Sequence, residues 1–343
     1  MSKVSYSNSL SPIARTRVMA DRNLVLKDRE GYTSSDIHFD FNTDKINNLF
    51  KILMIGSRDL DNPYFGGFFM FQGKFPDQYP FFPPHVLAKT QGENTRFHPN
   101  YYVNGKCCLS ILGTWSGPPW TSCQNLGTVS QSLKMLFIDN PITQEPSWEK
   151  CIDERAKAYQ RIISYRTLQV AVLNMLNKPP NNFEKFLPVM EKSFIELYSK
   201  YMEKIEKMKK LHGKTEKSPI YGMKVTYNIN DLEKDYKSMY SKLYPKYNKE
   251  VKKNNPTVNK SILPVDINIV NSNDSIDLNT SITKDDIEEI KKHIKKKRVP
   301  NKAAKNFDEG FSMVSENNGN TYKVIKTTKG HKRWKKISQS VSI

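Results

Sequence analysis

The apolar positions change period along the chain, and the changes divide it into elements. Ile37, Phe39 and Phe41 alternate with polar residues, the period of a half-buried strand. Leu49 to Ile55, Phe65 to Phe71 and His85 to Lys89 read as three more strands, the third of the four introduced by the turn Asp61-Asn62-Pro63-Tyr64. Short strands separated by turn signals predict an antiparallel meander. The period then becomes helical. Leu126, Val129, Leu133, Leu136 and Phe137 share one face of a predicted helix, and a second helix is predicted from about Asp153 to Leu176. Pro188 can open a third, running to about Lys210, with Phe194, Leu197, Tyr198, Tyr201, Ile205 and Met208 on one stripe and Gly213 as its stop. Asp231 to Tyr244 reads as a fourth. At the front, Ser11-Pro12 pairs a capping hydroxyl with a proline at the first helical position and predicts a helix to about Arg22.

Two stretches break these patterns. Tyr79-Pro80-Phe81-Phe82-Pro83-Pro84 carries three prolines in six residues and can sit in neither helix nor sheet interior. From Arg96 to Pro119 the chain has little period and is dense in Pro, Gly and Asn, the character of a segment that carries a site. After Pro245 the sequence turns rich in Asn, Ser, Asp and Lys, and 246 to about 281 reads as a linker. Thr283 can cap a charged helix from Lys284 to Lys297. The expected class is α+β, organised as a flexible start (1–10), a core domain (11–178), a helical extension (179–245), and a linker with a disordered basic tail (246–343).

Composition adds three constraints. With 37% hydrophobic and 26% charged residues in 343, the chain can build an ordinary core, and no apolar run reaches the length of a membrane span. Met1 to Leu10 is polar and lacks the apolar stretch of a secretory signal. The expected location is intracellular, cytoplasmic or nuclear. The formal charge is +19, and 19 basic against 10 acidic residues from Val251 onward place about half of that excess in the tail. A basic tail points to nucleic acid or an acidic surface. The tail shows no pattern of aromatic and basic residues for stacking bases, so the plainer reading, a solvated tail with no nucleic-acid partner, is preferred. Six basic residues in the eight of Lys291 to Arg298 are read as a nuclear address or as a solvated helix face.

The four cysteines, Cys107, Cys108, Cys123 and Cys151, include an adjacent pair and no Cys-x-x-Cys spacing. That pattern suits neither a zinc site nor a disulfide framework, so any special role for cysteine is chemical. Phe97-His98-Pro99-Asn100 precedes Cys108 by a short spacer. A thiol that attacks a thioester must be able to ionise, needs a donor aimed at the oxyanion, and needs a stiff loop that holds the two together. An asparagine amide fits the second task. A proline and a buried histidine can fix the loop.

These residues resemble the ubiquitin-conjugating enzymes, whose pattern is His-Pro-Asn with the reactive cysteine eight residues after the asparagine, as Cys108 stands to Asn100. Tyr79 to Pro84 is similar to the family's Tyr-Pro-Phe-x-Pro-Pro. Asn62-Pro63-Tyr64-Phe65-Gly66-Gly67 is similar to its Thr-Pro-Tyr-x-Gly-Gly, with asparagine for threonine. Gly113-Thr114-Trp115 and Ser116 to Trp120 look like the larger, Z-type branch, and Val189 to Phe194 resembles that branch's extension. The match runs from about Ser11 to Tyr244. Asn306 to Lys336 resembles a short tail found on proteins of giant DNA viruses, which would place the chain in a host cell.

The resemblance implies a ubiquitin-conjugating fold and a set of roles. Cys108 would carry ubiquitin or a ubiquitin-like modifier as a thioester. Asn100 would stabilise the oxyanion or position its loop, and His98 would be structural. Cys107 is the competing nucleophile, one residue out of register. Glu145, just before Pro146, is the candidate for the acidic residue beside the thioester. Ser110 either hydrogen-bonds near the site or fills space. Arg15 and Arg17 either meet the activating enzyme or form an ordinary basic face. Phe81 and Ser122 lie where relatives meet a ubiquitin ligase, but Thr121-Ser122-Cys123 replaces the common Ser-Pro-Ala, which leaves that partner unspecified. No metal or cofactor is implied, ATP being used by the upstream activating enzyme. The alternative function is a catalytically inactive scaffold that only binds ubiquitin.

Overall fold

The structure is a computed structural model that describes residues 10–41, 48–254, 308–314, 321–326 and 331–336. The chain forms two compact units, 1–265 and 266–343. The first opens with helix α1 (Pro12–Lys27), capped by the Ser11 hydroxyl, which accepts from Ala14 N and donates to Asp77 O. The helix runs one turn beyond the expected end because Val25 still has core to bury against. A short helix α2 (Arg29–Ser34) leads into the sheet.

Strands β1 (Ile37–Phe41), β2 (Leu49–Ile55), β3 (Phe68–Lys74) and β4 (His85–Ala88) form an antiparallel meander in the order β1-β2-β3-β4. The register sets Phe39 opposite Ile52, Ile52 opposite Phe71 and Phe71 opposite Ala88. β3 starts three residues later than the apolar pattern suggests. Its first expected residues instead make a turn in which Gly66 takes φ +62° and Gly67 N donates to Tyr64 O. A side chain at Gly66 would collide with the Tyr201 hydroxyl, whose hydrogen donates to Gly66 O at 2.8 Å.

Helix α3 (Leu126–Lys134) packs against α1, and one carboxylate organises that junction. Asp21, 3% exposed, accepts from Arg17 Nε, from the Tyr79 hydroxyl and from Leu126 N at the start of α3. A negative charge there favours the helix dipole as well as its unpaired amides. Helix α4 (Glu154–Arg166), capped by Asp153, continues through wider π-type turns over Thr167–Asn174 and a last turn at Met175–Asn177. This is the single long helix expected from Asp153 to Leu176, with the wider turns unsignalled in its sequence.

The extension consists of helix α5 (Leu187–Met208), a small hairpin of β5 (Thr215–Lys217) and β6 (Lys224–Thr226), and helix α6 (Ile229–Asn254). Tyr201 of α5 is fully buried against Phe65, Phe194 and Tyr236. Lys204 donates to Leu60 O and Asn62 O, so α5 locks the turn that starts β3. Helix α6 does not end at Tyr244. It passes through Pro245, so the first nine residues of the expected linker are helical. The interior proline is tolerated because its flanks are held on α5, by the Tyr198–Tyr240 ring stack at 3.9 Å and by the Lys246–Glu191 ion pair.

In the second unit the described residues include three short strands. β7 (Ser312–Val314), β8 (Thr321–Lys326) and β9 (Lys332–Lys336) form an antiparallel meander around the buried Val324. The expected helix at Lys284–Lys297 and the basic run Lys291–Arg298 lie outside the described residues.

Candidate active site

The site is built on a tight reversal after β4. Isolated bridges pair His98 with Tyr101, Tyr101 with Cys107, and Leu87 with Lys106. The turn closes through Gly105 N to Tyr102 O and Tyr102 N to Lys106 O. Gly105 sits at φ +89°, and a Cβ there would lie 2.7 Å from Ala88 O, so both conformation and space call for glycine.

Neighbouring residues of an extended segment point to opposite sides, which separates the two adjacent cysteines. Cys107 is 1% exposed and belongs to the hydrophobic core. Its thiol contacts Gly105 O, and burial pushes its pKa up to about 12. Cys108 does not belong to that core cluster. It is nonetheless buried, at 2% exposed.

Asn100 and Cys108 are tied twice. Cys108 N donates to Asn100 O at 2.8 Å, and Asn100 Nδ2 donates to Cys108 O at 2.6 Å. The amide therefore braces the backbone that carries the sulfur. His98 lies beneath this pair. Asn100 N donates to His98 Nδ1 at 3.0 Å, which leaves the ring proton on Nε2, and that nitrogen has no partner among the described residues. Complete burial, with Arg96 nearby, drives the His98 pKa down to about 3, so the ring is neutral. The Tyr64 hydroxyl donates to Phe97 O at 2.8 Å, and that of Tyr101 to Leu133 O at 2.6 Å, which fastens the loop to the turn before β3 and to α3.

Thr114, singled out before only as part of a branch pattern, staples the segment after the cysteine. Its hydroxyl donates to Cys107 O at 2.7 Å and accepts from Leu109 N at 2.9 Å. Ser110 begins a short 3₁₀ turn, and its hydroxyl makes no hydrogen bond among the described residues. A Cβ on Gly117 would sit 3.0 Å from Ser110 Cβ, so Ser110 fills space against that glycine.

Glu145 is half-buried and accepts a hydrogen bond from the Tyr221 hydroxyl. Tyr221 lies at the tip of the β5–β6 hairpin, and its ring covers one side of the Arg96 guanidinium while Tyr102 covers the other, each centroid 3.8 Å away. Arg96 Nη2 donates to Pro99 O at 2.5 Å. Sequence reasoning missed Arg96 and Tyr221. The hairpin that delivers Tyr221 has strands of three residues each, too short for any period to show.

The expected partner-binding residues fall in two groups. Arg15 and Ser122 are exposed, and Phe81 is 64% exposed on the proline loop. That loop and the one after Trp120 are joined, since Trp120 Nε1 donates to Pro80 O at 2.7 Å. Arg17 is different. Besides its ion pair with Asp21 it donates to Ser122 O and Gln124 O, at 2.8 and 2.6 Å. Its guanidinium is committed to holding the 121–124 loop on α1.

An N-terminal helix, a four-stranded meander, and a braced cysteine eight residues after a buried-histidine asparagine turn define the ubiquitin-conjugating class of domain. Residues 17–165 match the family model described as ubiquitin-conjugating enzyme. The chain is similar to ubiquitin-conjugating enzyme E2 Z. It is 37% identical over 205 residues to the Xenopus tropicalis protein, covering 58% of this chain and 64% of that one. It is 41% identical over 174 residues to the human protein, covering 49% of this chain and 48% of that one. A third similarity, at 31% identity over 219 residues, is to the mouse dual E2 ubiquitin-conjugating enzyme/E3 ubiquitin-protein ligase BIRC6. It covers 61% of this chain and 4% of that one. The chain thus spans about half to two thirds of the E2 Z proteins it matches. Among the described residues no helix is long and apolar enough to cross a membrane.

Proposed function

We propose that this chain is a ubiquitin-conjugating enzyme that accepts ubiquitin or a ubiquitin-like modifier from an activating enzyme as a thioester on Cys108. The reciprocal hydrogen bonds between Asn100 and Cys108 carry this reading, because they hold one thiol of an adjacent pair in a stiff loop while the other is sunk in the core.

In the first step the Cys108 thiol gives up its proton and its sulfur attacks the carbonyl carbon of the donor thioester. The tetrahedral intermediate expels the donor's thiolate, so one carbon–sulfur bond replaces another. In the second step a neutral lysine amine attacks the new thioester, Cys108 departs as thiolate, and the proton shed by the nitrogen passes to that sulfur or to solvent. Asn100 acts as the brace of the loop in the resting state. Its Nδ2 carries a second hydrogen, which can be donated to an oxyanion while the first stays on Cys108 O. Both steps exchange acyl groups between nucleophiles and draw on no electron transfer. The Asn100–Cys108 pair supports the enzyme over a ubiquitin-binding scaffold, which has no use for a braced thiol. Arg15 is an exposed basic residue of α1 available to an activating enzyme, and Phe81 with the 121–124 loop forms the surface available to a ligase.

The test is a charging assay with activating enzyme, ATP and a panel of modifiers. A thioester band that reducing agent removes is expected. Cys108→Ser should trap a reductant-resistant ester, and Cys107→Ser should still charge. A chain that charges as well after Cys108→Ala as before would overturn the assignment.

A further inference from the structure

The hairpin tip of the extension reaches the same loop that carries Asn100. Four contacts run in series. The Tyr221 hydroxyl donates to Glu145 Oε2, the Tyr221 ring lies 3.8 Å from the Arg96 guanidinium, Arg96 donates to Pro99 O, and Asn100 donates to Cys108 O. The backbone at Arg96 is held as well, its N–H donating to Met223 Sδ of the hairpin at 3.3 Å and its carbonyl accepting from the Tyr159 hydroxyl of α4 at 3.2 Å.

The hairpin itself is anchored. Glu216 of β5 pairs with Arg161 of α4 and accepts from the Tyr227 hydroxyl. At its tip Tyr221 and Gly222 take φ +64° and +66° in succession. A tyrosine in the left-handed region is strained, and such strain persists where surrounding contacts over-determine it. Here those contacts are a hydrogen bond to a carboxylate and a cation–π stack on an arginine whose other face is already covered by Tyr102.

We propose that Tyr221 is a positioning residue for the second transfer step: its hydroxyl holds the carboxylate of Glu145, the residue that the resemblance sets beside the thioester to take the incoming amine's proton, while its ring clamps Arg96 onto the Pro99 carbonyl. The extension thereby completes the site from outside the core domain. The inference rests on the proposed function, and Tyr221 acts through Glu145 and Arg96 rather than on the reacting atoms.

The experiment charges the full chain, then follows discharge of the preformed thioester onto lysine and, in parallel, onto hydroxylamine. Hydroxylamine is already neutral at the assay pH and needs no carboxylate. Tyr221→Phe keeps the ring on Arg96 and removes the tether. The lysine-to-hydroxylamine rate ratio is expected to fall about tenfold, a fraction of what a positioned base contributes. Glu145→Gln should lower the ratio as far, and the double variant no further. A role confined to folding lowers both rates together, so a ratio within about twofold of the unsubstituted chain overturns the proposal. An unsubstituted chain that never charges defeats the proposed function instead.

Discussion

Acid should weaken this fold through one buried ring. His98 is fully buried and its pKa is lowered from 6.5 to about 3, first by burial and then by Arg96. In the unfolded chain the ring regains its ordinary pKa. As pH falls below 6.5 the unfolded state takes up a proton that the folded state refuses, so stability is full above that value and declines until pH 3. The whole interval is worth about 5 kcal/mol, at about 1.4 kcal/mol per unit. At pH 4.5 the unfolded ring is almost wholly protonated and the folded one almost wholly neutral, which gives a loss of about 2.7 kcal/mol relative to pH 7.5. His98→Gln removes the titration. Urea unfolding of both chains at the two pH values isolates it, because all other groups cancel in the difference. The unsubstituted chain should lose about 2.7 kcal/mol more than the variant on going to pH 4.5. Equal losses would refute the reasoning and mean that water or a rearranged Nε2 partner solvates the ring.

Two further outcomes test the packing around the site. Tyr201→Ala empties a fully buried ring position and strips Gly66 O of its donor, so urea unfolding should show about 3 to 5 kcal/mol of destabilisation, against about 1 for Tyr201→Phe. Brief alkylation of the native chain, read by mass spectrometry, should label exposed Cys123 first and Cys107 last, the latter at an appreciable rate only after unfolding, since it is both 1% exposed and held as the thiol.

Much of the sheet was legible because its residues obey one rule each. Ile37, Phe39 and Phe41 alternate, and so form β1 as read. The start of β3 was misplaced because Phe65 is apolar for a different reason: it faces Tyr201 of the extension from within a turn. Period registers that a residue is buried but not by what. Pro245 shows the converse failure. The expectation that it ends a helix is sound locally, yet Tyr198–Tyr240 stacking and the Glu191–Lys246 pair lie about fifty residues apart in sequence and prevail. The polar tail also contains Tyr322, Val324 and Trp334, enough to close a small meander around Val324.

The site divides along the same line. Asn100, Cys108 and His98 were found by spacing, because a loop that must brace a sulfur within eight residues leaves a local trace. Arg17 was read as meeting the activating enzyme or as an ordinary basic face, and its partners within the fold left no local sign. A basic residue on an amphipathic helix looks like a binding face until Ser122 O and Gln124 O, more than a hundred residues later, are seen to take its hydrogens. Arg96 and Tyr221 left no trace at all, being joined across 125 positions by ring stacking that no spacing encodes. The contacts around Cys108 are therefore local and readable, while those on Glu145 arrive from the extension. Substitutions that separate the two steps should accordingly cluster in the β5–β6 hairpin, and those that abolish both should fall between His98 and Thr114.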